Sequence, residues 1–96
     1  MTKADIVNEI AKSTGVEKAS VQMTVEAFME VVKESLTKGE NVYLRGFGSF
    51  VIRKRAEKTA SNITKHTSIT IPEHFIPSFK PAKTFMSEVK ESEHIK

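Results

Sequence analysis

Residues 45–50 (RGFGSF) and residues 77–83 (PSFKPAK) frame the part of the chain that decides its fold. From residue 45 to residue 83 there are eight Lys or Arg and two Glu, a net charge of +6. The residues before this segment carry a net charge of −2, and the residues after it carry −1. The overall charge of +3 therefore hides a strongly basic segment, which predicts a polyanionic partner.

The length and composition predict one small domain that needs a partner. A chain of 96 residues buries roughly two-thirds of its unfolded surface, and residues 53–75 are poor in apolar side chains. That segment cannot form a core, so we expect self-association to enlarge the core. The absence of Cys excludes disulfides, thiolate metal sites and Cys nucleophiles, and it fits a reducing compartment. No apolar run exceeds three residues, so we expect no membrane span and no signal peptide.

Two amphipathic helices are predicted before residue 40. The first runs from Thr2 to Ser13, because Thr2 and Asp5 form a helix-start signal. The second runs from about Lys18 to Lys38, although Glu17 is not a preferred cap. Its apolar side chains recur at three- and four-residue steps: Val21, Val25, Phe28, Met29, Val32 and Leu36.

After Gly39 the apolar period changes to two, which predicts strands. Residues 42–44 form a short strand, and Gly46 and Gly48 are turn residues around Phe47. Residues 49–60 and 66–76 are expected to pair as one long antiparallel ribbon, with its tip near residues 61–65 and with Pro72 and Pro77 interrupting the return strand. Pro81 then opens a third helix over roughly 82–93. The fold class is therefore α+β.

Several motifs stand in fixed register: residues 46–50 (GFGSF), Arg53-x-Arg55, Asn62, Ile71-Pro72 and Ile76-Pro77-x-Phe79-Lys80-Pro81-x-Lys83. Together they resemble the bacterial histone-like HU/IHF family over most of residues 1–90. The resemblance implies an intertwined dimer in which two N-terminal helices support a three-stranded antiparallel sheet, with a protruding β-ribbon arm and a short C-terminal helix. Residues 1–96 would be one domain, divided into a body (1–52 and 76–93), an arm (53–75) and a tail (94–96).

The resemblance also implies which residues contact DNA. Arg53, Arg55 and Lys58 would line the arm and face phosphates or the minor-groove floor. From the body, Lys3, Lys80 and Lys83 would contact the flanks, and Gly46 and Ser49 would lie where the body approaches the DNA backbone. The remaining candidates belong to the tip: Ser61, Asn62, Ile63 and Lys65.

The tip departs from the family pattern at three positions. Ser61 stands where the family has Arg, Ile63 where it has Pro, and His66 where it often has Gly. Isoleucine is among the apolar residues that such proteins insert between base pairs. Ile63 is therefore the predicted wedge. The alternatives are a stray surface side chain for Ile63 and an ordinary solvated face for the run from Arg53 to Arg55.

Catalysis and metal binding are not predicted. Asp5 is the only Asp, so the chain lacks a convergent nucleophile, base and orienting acid. Eight extended residues place His66 and His74 roughly 26 Å apart, too far to share a metal. Residues 46–48 (GFG) lack the third glycine of a dinucleotide fingerprint. We therefore expect no enzyme activity and no cofactor.

The predicted function is that of a dimeric, largely sequence-nonspecific DNA-bending protein of the bacterial nucleoid, in the cytoplasm. Its partner is double-stranded DNA, including nicked or otherwise distorted DNA. We expect a homodimer, and a heterodimer with a paralogue stays open. Three alternatives remain at this point: a sequence-preferring IHF-like subunit, a protein–protein scaffold with basic arms, and an RNA-binding protein.

Overall fold

The computed structural model describes residues 1–62 and 67–95, where two helices lead into strands and a third helix follows. The elements are α1 (Lys3–Thr14), α2 (Lys18–Thr37), β1 (Val42–Leu44), β2 (Gly48–Arg55), β3 (Lys58–Asn62), β4 (Thr67–Ile71), β5 (His74–Pro81), α3 (Lys83–Lys90) and a 3₁₀ helix (Glu93–Ile95). The α+β class and the order of elements are as predicted.

Helix α1 begins at a capping box. The Asp5 N–H donates to the Thr2 hydroxyl (3.3 Å), and the Thr2 N–H donates to the Asp5 carboxylate (2.9 Å). The bonds from the Thr2 backbone and then its hydroxyl hold the pKa of Asp5 below its ordinary value. Gly15 ends the helix with φ of +76°, which glycine adopts without strain. Helix α2 has no such start, because the Glu17 side chain makes no capping bond.

The strands form two ladders that keep one register. The first is a three-stranded antiparallel sheet of order β1-β2-β5, running from the pair Gly48–Pro81 to the pair Arg55–His74. The second is the two-stranded ladder of β3 and β4, running from Lys58–Ile71 to Asn62–Thr67. Between the ladders, residues 56 and 57 lie opposite residues 73 and 72 without pairing. The two predicted extended runs do pair as one antiparallel ribbon in a single register, and this ribbon is interrupted at residues 56–57 and 72–73.

Hydrogen-bond directions along β2 alternate, and two bonds fix the alternation. The Ile52 N–H donates to the Asn41 side chain (3.1 Å), on the β1 side of the strand. The Ala82 N–H donates to the Phe47 carbonyl (2.9 Å), which extends the ladder towards β5. Even-numbered residues of β2 therefore point their backbone groups away from β5, and odd-numbered residues point them towards it.

This alternation explains why one proline breaks the arm and two do not. Pro77 lies opposite Ile52, and Pro81 lies opposite Gly48, so neither ring removes a donor from the ladder. Pro72 would lie opposite Glu57, where the ladder needs an N–H, and the pairing stops there. The prediction that Pro77 interrupts the return strand was wrong, whereas the interruption at Pro72 is confirmed.

The C-terminal helix is shorter than predicted and starts later. Pro81 is the last residue of β5, and Ala82 is the cap residue before α3. The helix stops at Lys90 rather than near residue 93. Its start is set by the Ala82–Phe47 bond, which keeps residue 82 in the sheet register.

Four phenylalanines form the cluster beneath the sheet. The Phe79 ring lies 5.1 Å from the rings of Phe47 and Phe50, and the Phe85 ring lies 5.6 Å from that of Phe47. Phe85 of α3 completes the cluster.

Candidate nucleic-acid interface

One face of the sheet carries polar and basic side chains, and the other carries the phenylalanine cluster. Phe50 and Phe79 are directly opposite each other and pack together, so even-numbered residues of β2 share the inner face. The odd-numbered residues of β2 therefore share the outer face, and these are Ser49, Val51, Arg53 and Arg55. Arg53 and Arg55 are exposed.

A row of hydrogen-bonding side chains crosses the body end of this outer face. Ser49 pairs with Tyr43 on one side and with Lys80 on the other. Directly opposed residues project to the same face. Tyr43 is 73% exposed, and its hydroxyl accepts from the Asn41 amide (3.4 Å). That bond leaves the phenolic proton free to donate outward. The predicted contacts Ser49 and Lys80 thus lie side by side, with Tyr43 beside them.

Lys54 lies between the two arginines but belongs to the opposite face. Its ammonium contacts the Glu73 carboxylate at 2.8 Å. The strand alternation therefore places Arg53 and Arg55 on the outer face and the ion-paired Lys54 on the inner face. Lys58 begins β3 beyond the break, opposite Ile71.

The turn between β1 and β2 brings two further candidates together. The Phe47 N–H donates to the Leu44 carbonyl (3.0 Å), and Gly46 within this turn has φ of +81°. A Cβ on Gly46 would meet nothing within 4 Å, so its backbone is open to a close approach from outside. The Ala82–Phe47 bond holds Lys83, the first residue of α3, next to this turn.

Lys3 lies apart from the sheet and already has a partner. Its ammonium contacts the Glu26 carboxylate of α2 at 2.8 Å, and both side chains are about half exposed. Hydrogen bonds from Lys3 and then Gln22, together with the Lys3 charge, hold the pKa of Glu26 below its ordinary value. A phosphate would have to take Lys3 from this carboxylate.

The tip candidates fall at or beyond the limit of the described residues. Ser61 and Asn62 end β3, with Asn62 opposite Thr67. The predicted wedge Ile63 and the basic candidate Lys65 lie outside the described residues, as does His66. Their proposed roles stay predictions.

The described residues show neither a metal site nor a membrane-spanning helix. Within residues 1–62 and 67–95, no group of three His, Cys, Asp or Glu side chains could hold a metal ion. Among the described helices, none combines the length and apolar character needed to cross a membrane.

Two residues of the outer face did not stand out in the sequence as DNA contacts. They are Tyr43 and His74, the residue opposite Arg55. The alternation of residues 42–45 gave an outward position for Tyr43, but nothing marked it as part of a polar row. The position of His74 depends on the register between β2 and β5, which the sequence does not specify.

A helical body, a small antiparallel sheet and a basic outer face that continues into an arm define an arm-bearing nucleic-acid-binding protein. The family model described as "Bacterial DNA-binding protein" matches residues 1–90. DNA-binding protein HU of Thermotoga maritima is 40% identical over 90 residues, covering 94% of this chain and 100% of that protein. Integration host factor subunit beta of Marinobacter nauticus is 36% identical over 93 residues, covering 96% of this chain and 95% of that protein.

Solved structures agree with the sequence matches. The Anabaena HU–DNA co-crystal structure aligns with a TM-score of 0.89 at 29% identity, covering 96% of this chain and 100% of that one. The chain belongs to the HU/IHF family of bacterial DNA-binding proteins. The family consists of architectural DNA-binding proteins rather than enzymes, which confirms the predicted class.

Proposed function

We propose that this chain is a dimeric DNA-bending protein of the nucleoid that grips the minor groove with paired arms and has weak sequence preference. The observation that carries the proposal is the outer face of β2 and β5. It presents Lys80, Ser49, Arg53 and Arg55 in one line from the body into the arm. No described helix offers an Asn, Gln or Arg pattern suited to reading major-groove bases.

The energetics follow from charge and unstacking. Basic side chains release counterions from the phosphates, which supplies affinity without sequence information. A wedge at each tip kinks the duplex at a cost of a few kcal/mol per base step. The kink lets more of the DNA backbone reach Lys3, Lys80 and Lys83 on the body. Nicked DNA already lacks part of the stacking, so it should be a good partner.

The proposal includes a dimer because one chain leaves too much apolar surface uncovered. Only Val7, Val21 and Val32 are buried apolar side chains in the described part of the chain. Along α2, four large apolar side chains remain exposed: Met23, Phe28, Met29 and Val31. A second copy supplies the missing cover, and a paralogue in a heterodimer would do the same.

The basic face is tested by the salt dependence of DNA binding. If a dimer neutralises about eight phosphates, log K against log salt should have a slope near −7, at about 0.9 per phosphate. Arg55→Ala should make the slope shallower by up to about two units, because each dimer loses two copies. Lys54→Ala is the matched control, since it removes a charge from the same strand but from the opposite face. A flat salt dependence, or equal effects of the two variants, would favour the scaffold alternative.

The wedge is tested by bending, with fluorescence transfer between labelled duplex ends. Ile63→Ala removes the inserted apolar surface and leaves every charge in place. We expect less bending and weaker binding on linear DNA, with a smaller loss on nicked DNA. Ile63→Pro should retain the bend. If Ile63→Ala bends linear DNA as well as the parent chain, the arms act by charge and shape alone.

A second candidate is a sequence-preferring subunit, and the 36% identity to an integration host factor subunit favours it. The two candidate functions predict different results when unlabelled DNA competes for the protein. A specific complex on one labelled duplex should survive excess scrambled DNA, whereas a nonspecific complex should not. The same assay with duplex RNA as competitor measures any preference for DNA.

A further inference from the structure

His74 lies on the outer face at the point where the arm leaves the sheet. It is the first residue of β5 and is directly opposite Arg55. In this alternation the pair exchanges backbone hydrogen bonds, so the two Cα atoms lie about 5.5 Å apart. Both side chains are exposed and project to the face that Arg53 shares. His74 thus stands in the line of groups proposed to follow the DNA backbone.

One ring nitrogen of His74 is already used. The Nδ1 atom lies 3.0 Å from the Pro72 carbonyl oxygen, across the break between the two ladders. A carbonyl oxygen only accepts, so Nδ1 must carry a proton for this bond to form. The bond fixes the ring by Nδ1 and leaves Nε2 as the group that can meet a ligand.

The protonation state then decides what Nε2 offers to a phosphate. In the neutral ring with the proton on Nδ1, Nε2 presents a lone pair, which a phosphate oxygen repels. In the charged ring, Nε2 presents an N–H, which donates a charge-assisted hydrogen bond to a phosphate. Histidine changes between these states in the range of pH 5 to 8.

Two arginines and two glutamates lie around His74 at the arm root. Arg55 lies opposite His74, and Arg53 lies two residues further along the same face. Glu73, the neighbouring residue, points its carboxylate to Lys54 at 2.8 Å. Glu57 stands at the break opposite Pro72. A phosphate diester bound over this face would favour the charged imidazole.

We infer that His74 is a proton-dependent contact to the DNA backbone, so that DNA binding takes up a proton at each arm root. The inference rests on the proposed DNA-binding function. The sign follows from the charge: the contact is present at acidic pH, where the ring is charged, and is lost as the pH rises and the bound ring deprotonates. The arms should therefore hold a duplex more tightly near pH 5.5 than near pH 8.

The test measures proton uptake by titration calorimetry in buffers of different ionisation enthalpy, together with affinity at pH 5.5 and pH 8. The variants are His74→Gln, which keeps a hydrogen-bonding amide without titration, and His74→Lys, which keeps a permanent charge. His94→Gln is the matched control, because it removes a histidine from the C-terminal 3₁₀ helix and leaves the arm unchanged. Thermal melts of every variant without DNA show whether the arm root still folds.

For the parent chain we expect affinity to rise by up to about fivefold per copy, or up to about 25-fold per dimer, from pH 8 to pH 5.5. The salt slope should also steepen by up to about two units. His74→Gln should lose the proton uptake and most of the pH effect, and His74→Lys should bind tightly at both pH values. His94→Gln should behave as the parent does.

Two results would overturn the inference. One is proton uptake that survives in His74→Gln. The other is an equal loss of affinity at both pH values in that variant, which would mean that His74 only braces the break. If the parent chain binds no duplex at either pH, the proposed function itself fails, and that failure is distinct from binding that simply does not respond to pH.

Discussion

Gly48 is the residue at which the smallest change should do the most damage. A Cβ at this position would lie 2.5 Å from the Lys80 carbonyl oxygen and 2.6 Å from the Phe79 ring. The ring could move, but the carbonyl belongs to the partner strand and cannot move without opening the ladder. The side chain of any other residue would therefore separate β2 from β5 where the sheet meets the phenylalanine cluster.

We predict that Gly48→Ala destabilises the protein by about 1–3 kcal/mol, the usual cost of overpacking. Urea unfolding followed by circular dichroism measures it. Ser49→Ala is the control, because its side chain lies on the outer face and should change stability by no more than about 0.5 kcal/mol. Equal stabilities of the two variants would mean that the close approach at Gly48 is relaxed in solution.

The sequence predicted Gly48 as a turn residue and could not predict this contact. Local patterns show that residues 46–48 (GFG) contain a turn, and Gly46 does have the positive φ of one. The reason for the second glycine lies more than 30 residues away, in Phe79 and Lys80. A contact between distant strands leaves no local period, so the residue type was noticed and its role was misassigned.

At the level of secondary structure, the break in the arm comes from a single missing donor. Pro72 falls where β4 and β5 would otherwise join into one strand opposite residues 56 and 57. We predict that Pro72→Ala joins the two ladders, and that the new amide at position 72 is protected in hydrogen exchange measured by NMR. The added bond should contribute about 0.5–1.5 kcal/mol locally.

Pro77→Ala is the matched control for this prediction. Position 77 lies opposite Ile52, whose own N–H donates to Asn41, so the new amide at position 77 would point away from β2. It should gain no ladder bond. Protection at position 77 without protection at position 72 would reverse the alternation assigned to β2.

The helices were predicted more accurately than the ribbon for a physical reason. Caps and three- to four-residue periods are local, and α1 and α2 were placed within about a residue of their observed limits. The role of a proline in a sheet depends on which way its nitrogen faces, and that depends on the register. The sequence shows three prolines after residue 70, but only the register separates Pro72 from Pro77 and Pro81.

For the whole molecule, the exposed apolar stripe of α2 predicts that folding and assembly are linked. Phe28 is 45% exposed in the single chain, whereas Val32 is only 8% exposed. We predict that Phe28→Asp prevents dimerisation by placing an unpaired charge in the interface. Val32→Asp should in addition disrupt the packing within one chain. Sedimentation measures assembly, and circular dichroism measures helix content.

The two variants should therefore differ. Phe28→Asp should lower the sedimenting mass to that of a monomer while keeping more of its helix content than Val32→Asp does. Both variants should lose DNA binding. A parent chain that sediments as a folded, DNA-binding monomer would contradict the dimer.

The candidate site, like the fold, was predicted from sequence only where the signal is local. The charge pattern located the basic arm, but the face on which each side chain lies emerged only from strand pairing, which set Lys54 apart from Arg53 and Arg55.

Because the two ladders share one register, the tip of the arm can be exchanged without changing the strands at its root. The pairing of residue 58 with residue 71 continues the register of the pairing of residue 55 with residue 74. The segment between residues 58 and 71 can be lengthened or shortened by the same number of residues on each strand, or replaced. Arg53 and Arg55 then keep their outward orientation. A one-residue insertion on one strand alone would turn every later side chain to the other face. The tip can therefore be exchanged as a unit while the body that supports it stays unchanged.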